Sequence, residues 1–138
     1  MPFLNMDSGD LVFSDGFCLR AGMSAQELSA DQAAPPFDGE AVLLLPARGV
    51  RGGGVAPVCE FHHNGLCRVT LAVDTVGGRT ERNAGRQRAF LFSLLCLRDP
   101  CPDTRRCVRV RCPFGEVLVF SDPYTGYASA RLLYALPR

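Results

Sequence analysis

The chain has no lysine; all 15 of its basic residues are arginine. That removes Schiff-base chemistry, and it removes the lysine a phosphate-binding loop requires after a glycine run such as Gly52-Gly53-Gly54. Histidine is limited to the adjacent pair His62 and His63, and neither G-x-S-x-G nor H-E-x-x-H occurs. The acidic residues are scattered, no nucleophile–base arrangement is visible, and so no catalytic residue is assigned; the chain is expected not to be an enzyme. Long apolar runs are also missing: the longest, residues 89–97, is far short of a membrane span. The opening MPFLNMDSGDL has neither the basic stretch nor the apolar core of a secretory leader. Seven cysteines without a leader, an odd number, point to free thiols in a reducing compartment, and the expected location is cytoplasmic. The net charge is only +1, which supplies no field for nucleic acid or an anionic membrane.

What is present describes one globular domain. Its 138 residues are 47% apolar, enough to bury roughly two thirds of the unfolded surface in a single core. LVFSDGFCLR is a hairpin around Asp15-Gly16. Ser24 and Glu27 form a capping box, so a short helix starts at Ser24 with Leu28 on its inner face. DQAAPPFDG, residues 31–39, is a linker; residues 41–47, AVLLLPA, predict a short buried strand; residues 46–57, with three glycines in a row, predict a mobile loop. Residues 80–99 predict the one substantial helix, with Phe90, Leu91, Leu94, Leu95 and Leu97 on its apolar face and Asp99-Pro100 as its stop. A strand over residues 106–112 leads into a long hairpin, residues 113–135, whose turn is Asp-Pro-Tyr-Thr-Gly. Asp122, Pro123 and Gly126 serve the geometry of that turn.

In VCEFHHNGLCRVTLAVD the register follows from burial. A two-residue Asn64-Gly65 turn would put Glu60 and His62 on the valine-leucine face. A three-residue loop of His63, Asn64 and Gly65 with a glycine bulge instead pairs Phe61 with Cys67 and Cys59 with Val69. Cys59, Phe61, Cys67, Val69, Leu71 and Val73 then share the core face, and Glu60, His62, Arg68, Thr70 and Asp74 face water. This register buries apolar surface without burying charge, and it is the one expected. The element order ββαβββαβββ gives an α+β fold: a single domain, mainly antiparallel β-sheet, with one longer and one short helix packed on one face.

Two groups of metal-ligand residue types stand out. Cys59, His62, His63 and Cys67 fall within nine residues, and Cys96, Cys101, Cys107 and Cys112 are spaced C-x4-C-x5-C-x4-C. In the first, Cys59 and Cys67 point inward, His62 points outward and His63 sits in the turn, whereas zinc needs every ligand at about 2.0–2.3 Å from one point. The second lacks C-x2-C pairs, and Cys107 and Cys112 have opposite parity on a strand. No metal and no cofactor is therefore assigned. Cys107, flanked by arginines, is the one candidate reactive thiol.

Arg105, Arg109 and Arg111 share a parity and predict a basic ridge on the solvent face of their strand, while Val108, Val110 and Cys112 face the core. Such a ridge either pairs with cross-strand carboxylates such as Glu116 or meets an acidic protein partner, since arginine forks suit interface pairing. It lacks the interleaved aromatics of nucleic-acid platforms. Tyr124 at the hairpin tip, Tyr127 beside it and the outward His62 complete the candidate partner-binding residues.

Three segments, FCLRAGMSAQEL, CEFHHNGLCRVTLAVD and PFGEVLVFSDPYTGYASARLLY, together resemble a group of small cytoplasmic proteobacterial proteins, some of which look like immunity proteins encoded beside secreted toxins. The resemblance implies a Gly-Met pair leading into a short helix, an Asn-Gly hairpin, and an aspartate-proline turn between the final strands. It also implies a toxin-like protein partner bound without catalysis, and it carries no functional residues over. The cysteine-rich stretch 96–112 and the glycine run depart from that pattern. A zinc- or thiol-dependent protein using the cysteine-rich segment is the alternative from another class, and a small-ligand or enzymatic domain with a pocket between sheet and helix is a third.

Overall fold

The computed structural model describes residues 2–29, 41–80, 82–100, 107–122 and 124–135. Asp15-Gly16 closes the first hairpin: β1 (Leu11–Val12) pairs with β2 (Cys18–Leu19), and the Asp15 carboxylate accepts the Phe17 N–H at 3.0 Å. The capping box forms as expected ahead of α1 (Ala25–Ser29). Ser24 Oγ accepts the Glu27 N–H at 3.2 Å and the Glu27 carboxylate accepts the Ser24 N–H at 2.9 Å, so two donors a helix start leaves unpaired are satisfied. Ala25 and Leu28 turn into the core. Gly22 and Met23 reach the main sheet, where the Gly22 N–H donates to Leu66 O at 2.9 Å and the Leu66 N–H to Met23 O at 2.7 Å.

The remaining strands are β3 (Ala41–Leu44), β4 (Arg48–Val50), β5 (Gly53–His62), β6 (Gly65–Val76), β7 (Arg79–Thr80), β8 (Val108–Cys112), β9 (Gly115–Asp122) and β10 (Tyr127–Tyr134). They form one antiparallel eight-stranded sheet in the order β3-β5-β6-β10-β9-β8, with β4 also on β5 and β7 also on β6. The second helix, α2 (Ala84–Leu94), packs across β10, β9 and β6 on one face. The fold is α+β, mainly antiparallel sheet, with one of its two helices short.

Four local expectations are corrected by this arrangement. Residues 46–57 are not a loop: they form β4, a tight turn and the start of β5, with Gly53 against β6. A Cβ on Gly53 would run into the Thr75 carbonyl oxygen and stand 3.1 Å from the Phe90 ring, so glycine is there for close approach rather than looseness. The strand at residues 41–47 is not buried. β3 is an edge strand with Leu43 inside and Val42 and Leu44 59% and 70% exposed. The long helix starts later and stops earlier than expected: residues 77–78 make a two-residue turn that returns Arg79 and Thr80 to β6, and Asn83 then caps α2 through Oδ1, accepting the Arg86 N–H at 3.0 Å. At the other end Cys96 adopts φ 55°, its N–H bonding Ser93 O at 3.2 Å while the Leu97 N–H bonds Phe92 O at 2.9 Å. This is a Schellman turn with cysteine where glycine is usual, and it ends the helix before Asp99-Pro100.

The fourth correction is the β5–β6 register. The turn is His63-Asn64, both at positive φ (51° and 63°), so His62 pairs with Gly65 and Phe61 with Leu66. Cys67 is then the extra residue of a bulge, after which Glu60 pairs with Arg68 and Cys59 with Val69 as expected. Leu66, not Cys67, joins Cys59, Phe61, Val69, Leu71 and Val73 in the core. The bulged Cys67 thiol turns to the Glu60 carbonyl at 3.3 Å.

The core lies between this sheet face, α2 and the first hairpin. Leu11, Leu19, Leu28, Leu66, Leu71, Leu91, Leu95 and Leu132 are essentially fully buried, each contributing about 1.5–3 kcal/mol relative to exposure. On α2 the buried set includes Phe92, and Phe90 and Leu97 are only partly covered. Two polar side chains are buried there with their groups satisfied. Gln87 Oε1 accepts the Ala128 N–H at 2.7 Å, and the Arg88 guanidinium holds Asp99 through Nε at 3.0 Å and Nη2 at 3.2 Å. Arg48 ties the first hairpin to β4: its guanidinium lies 3.7 Å over the Phe17 ring and pairs with Asp15 at 2.7 Å.

Candidate functional site

The face of the sheet opposite α2 has no helix over it among the described residues. Pairing registers carry two continuous rows across it from β8 to β3. One runs Arg111, Glu116, Leu133, Arg68, Glu60, Val42, and the next runs Arg109, Leu118, Arg131, Thr70, Val58, Leu44. Every residue of both rows is exposed or half-buried. A third row, Phe120, Ser129, Ala72, Ala56, lies toward the final hairpin tip. Arginines from β8, β10 and β6 are therefore interspersed with apolar side chains on this face, and its β5–β3 margin carries Val58, Val42 and Leu44.

The arginines on this face are lightly held. Arg109 Nε stands 3.5 Å from Glu116 Oε2, and Arg68 Nη1 stands 3.5 Å from Glu60 Oε1. Arg131 donates from Nε to Thr70 Oγ1 at 3.3 Å and places its guanidinium 5.2 Å from the centre of the Phe120 ring. Exposed pairs of this length contribute roughly 0–1 kcal/mol each, so they can be exchanged for other carboxylates at small cost.

Of the residues singled out in the sequence, Arg109 and Arg111 lie on this face as expected, with Val108 turned into the core. Tyr127 opens the outward parity of β10 and is 51% exposed, and Tyr124 at the tip is 98% exposed. His62 ends β5 at the opposite margin, its ring 4.1 Å from that of His63, beside a shallow hollow of about 640 Å³ lined by Val42, Glu60, His62, Cys67 and Arg68. Arg105 lies outside the described residues, as do Cys101 and Pro123. Arginine and histidine thus stand at the two ends of one surface, and Tyr124 projects from a third side of it.

Arg131, Leu118, Leu133 and the exposed pair Val42 and Leu44 were not read from the sequence; Arg68 was read as facing water and Phe120 as lying near the hairpin tyrosines, but neither as part of one surface with Arg109 and Arg111. The signal for Arg131 was available, since it shares parity with Tyr127, but Leu118 and Leu133 are as apolar as their buried neighbours Val117 and Leu132.

Among the described residues the cysteines of neither sequence quartet converge on one point. Cys59 is buried beneath the sheet, and burial pushes its thiol up to about 12. Cys96 and Cys107 are exposed at separate places, and Cys112 is half-buried with its thiol also raised by burial. Among the described residues, no three of His, Cys, Asp and Glu converge to hold a metal ion. No helix among them is long and apolar enough to cross a membrane, which says nothing of a strand-built barrel. Compared with protein-family models, curated proteins and solved structures, the chain finds no match.

Proposed function

We propose that this protein is a non-enzymatic binding module that docks an acidic protein surface onto the open sheet face, as an immunity-type inhibitor would cover a toxin. The observation that carries this reading is the face itself: four arginines, Arg68, Arg109, Arg111 and Arg131, set among Leu118, Leu133, Phe120 and Val58, with Glu60 and Glu116 as the carboxylates within the two long rows. The apolar side chains supply area to bury, and the weakly held guanidinium groups supply directional pairing with partner carboxylates. The six described cysteines form no disulfide with one another, which supports a reducing compartment such as the cytoplasm for the encounter.

A test is co-expression with the product of the adjacent gene, followed by size-exclusion chromatography and calorimetry. A stable complex burying at least about 1,000 Å² is expected. Arg109→Glu, Arg111→Glu and Tyr124→Ala should weaken it by about tenfold or more while the thermal midpoint of the free protein stays the same. No complex, or a complex indifferent to both charge reversals, removes the reading.

A further inference from the structure

A second concavity lies on the packed side of the sheet, away from the arginine face. The first hairpin, the β4–β5 turn and the C-terminal half of α2 enclose a cleft of about 490 Å³, within the roughly 300–1,000 Å³ range of small-molecule sites. Its floor is aromatic and aliphatic. Phe3 and Phe13 meet edge to face at 5.1 Å, and Val50 and Leu94 are buried beside them. Phe90 forms the third wall, laid over Gly52 and Gly53, where a Cβ on Gly53 would press against the ring at 3.1 Å. The glycine run that the sequence offers without a phosphate-loop lysine thus makes room for an aromatic wall.

The walls are fixed by backbone bonds between elements. The Ser14 N–H donates to Gly49 O at 3.0 Å, and the Gly77 N–H donates to Gly52 O at 2.6 Å. The Schellman turn at Cys96 ends α2 at the rim. The polar and cationic residues of the lining are Arg51, Ser14, Ser93 and Cys96, all exposed, and no acidic residue is among the described ones that line it. Asp15, next in sequence to Ser14, is drawn away to Arg48 at 2.7 Å. The cleft is therefore apolar within and carries one cation with hydroxyl donors at its mouth.

We infer that this cleft binds a small apolar monocarboxylate, with the hydrocarbon against Phe3, Phe13 and Phe90 and the carboxylate on Arg51. A fork of guanidinium donors matches a carboxylate in charge and in geometry, and repels an amine of the same shape. The site is separate from the arginine face, so its ligand and a protein partner do not compete for the same residues.

The test uses the full chain and octanoate as probe, followed by amide chemical shifts and calorimetry, with octylamine as the charge-reversed control. Octanoate is expected to bind saturably and to shift the amides of Phe13, Arg51 and Phe90, and octylamine to leave them in place. Arg51→Glu should reduce octanoate affinity by about tenfold or more, with an unchanged thermal midpoint because Arg51 is exposed. Ser93→Trp, from an exposed helix position, should fill the mouth and block binding by bulk while leaving the fold intact. No octanoate binding at millimolar concentration, equal binding of octylamine, an Arg51→Glu protein that binds as before, or shifts confined to the open sheet face would each overturn the assignment.

Discussion

The two faces of the main sheet are made by the same strands and have come to different ends. On β10 the inward residues are Ala128, Ala130, Leu132 and Tyr134, and the outward ones are Tyr127, Ser129, Arg131 and Leu133. On β9 the inward Val117 and Val119 alternate with the outward Glu116, Leu118 and Phe120. Hydrophobicity alone does not separate the sets, since Leu132 and Leu133 are the same residue type. What separates them is cover. α2 lies across β10, β9 and β6, and the alanines under it leave room for Gln87 to reach the Ala128 N–H. Where charge enters the covered side it is locked, as in Arg88 with Asp99; on the open side Arg109 and Arg68 stand 3.5 Å from half-buried glutamates. The difference teaches that apolar content on this sheet marks two kinds of surface, one buried under α2 and one with no cover among the described residues.

Three measurements would break or sharpen that contrast. The largest effect belongs to the leucine pair. Leu132→Ala should cost about 2–5 kcal/mol in urea denaturation, as cavity-forming core substitutions do, whereas Leu133→Ala should cost less than about 1 kcal/mol. Equal losses would mean that both faces are covered. Next come the arginines. Arg88→Leu, which strands Asp99 beneath α2, should cost roughly 2–3 kcal/mol, and Arg109→Leu should change stability by no more than about 0.5 kcal/mol. A costly Arg109 substitution would show that the open face already stabilises the monomer.

The third effect is alkaline, and it is the smallest of the three over the first pH unit above 9. Burial raises the Cys59 thiol from 9.0 to about 12, and burial raises the Tyr134 phenol above its ordinary 10.0. Both groups are neutral when protonated. As pH rises the unfolded chain gives up these protons before the folded one does, so the stability they contribute is complete below about pH 9 and declines above it. The slope approaches about 1.4 kcal/mol per pH unit for each group. Cys59→Val should delay the decline until the tyrosine range is reached; a flat stability profile from pH 9 to 11 in the unsubstituted protein would contradict the covered position of both groups.

The parts of the fold that were legible are those settled by neighbours in sequence. Ser24 and Glu27 bond each other three residues apart, Asp15-Gly16 closes its own hairpin, and residues 113–135 pair in register through all eight steps from Asp122 and Tyr127 to Gly115 and Tyr134. The parts that were misread depended on distant contacts. Three glycines look loose until β6 and Phe90 are laid against them. Cys96 gives no sign of a helix stop because the left-handed residue that ends α2 is not a glycine. Leu66 and Cys67 exchange roles because a turn at His63-Asn64 is followed by a bulge that restores the alternation.

The candidate site divides in the same way. The parity of Arg109 and Arg111 could be read along one strand, because successive side chains on a strand alternate faces. That Arg131 and Arg68 stand in the same rows, two and three strands away, required the pairing order β8-β9-β10-β6, which no local pattern contains. By itself the sequence determined the Ser24–Glu27 cap, the Asp15-Gly16 and final hairpins and the parity of Arg109 and Arg111, all of which are short-range and chemical. Only the tertiary structure decided which side of each strand meets α2, and with it which arginines and leucines lie on the face opposite that helix, because burial is a property of what crosses the sheet and not of the strand alone.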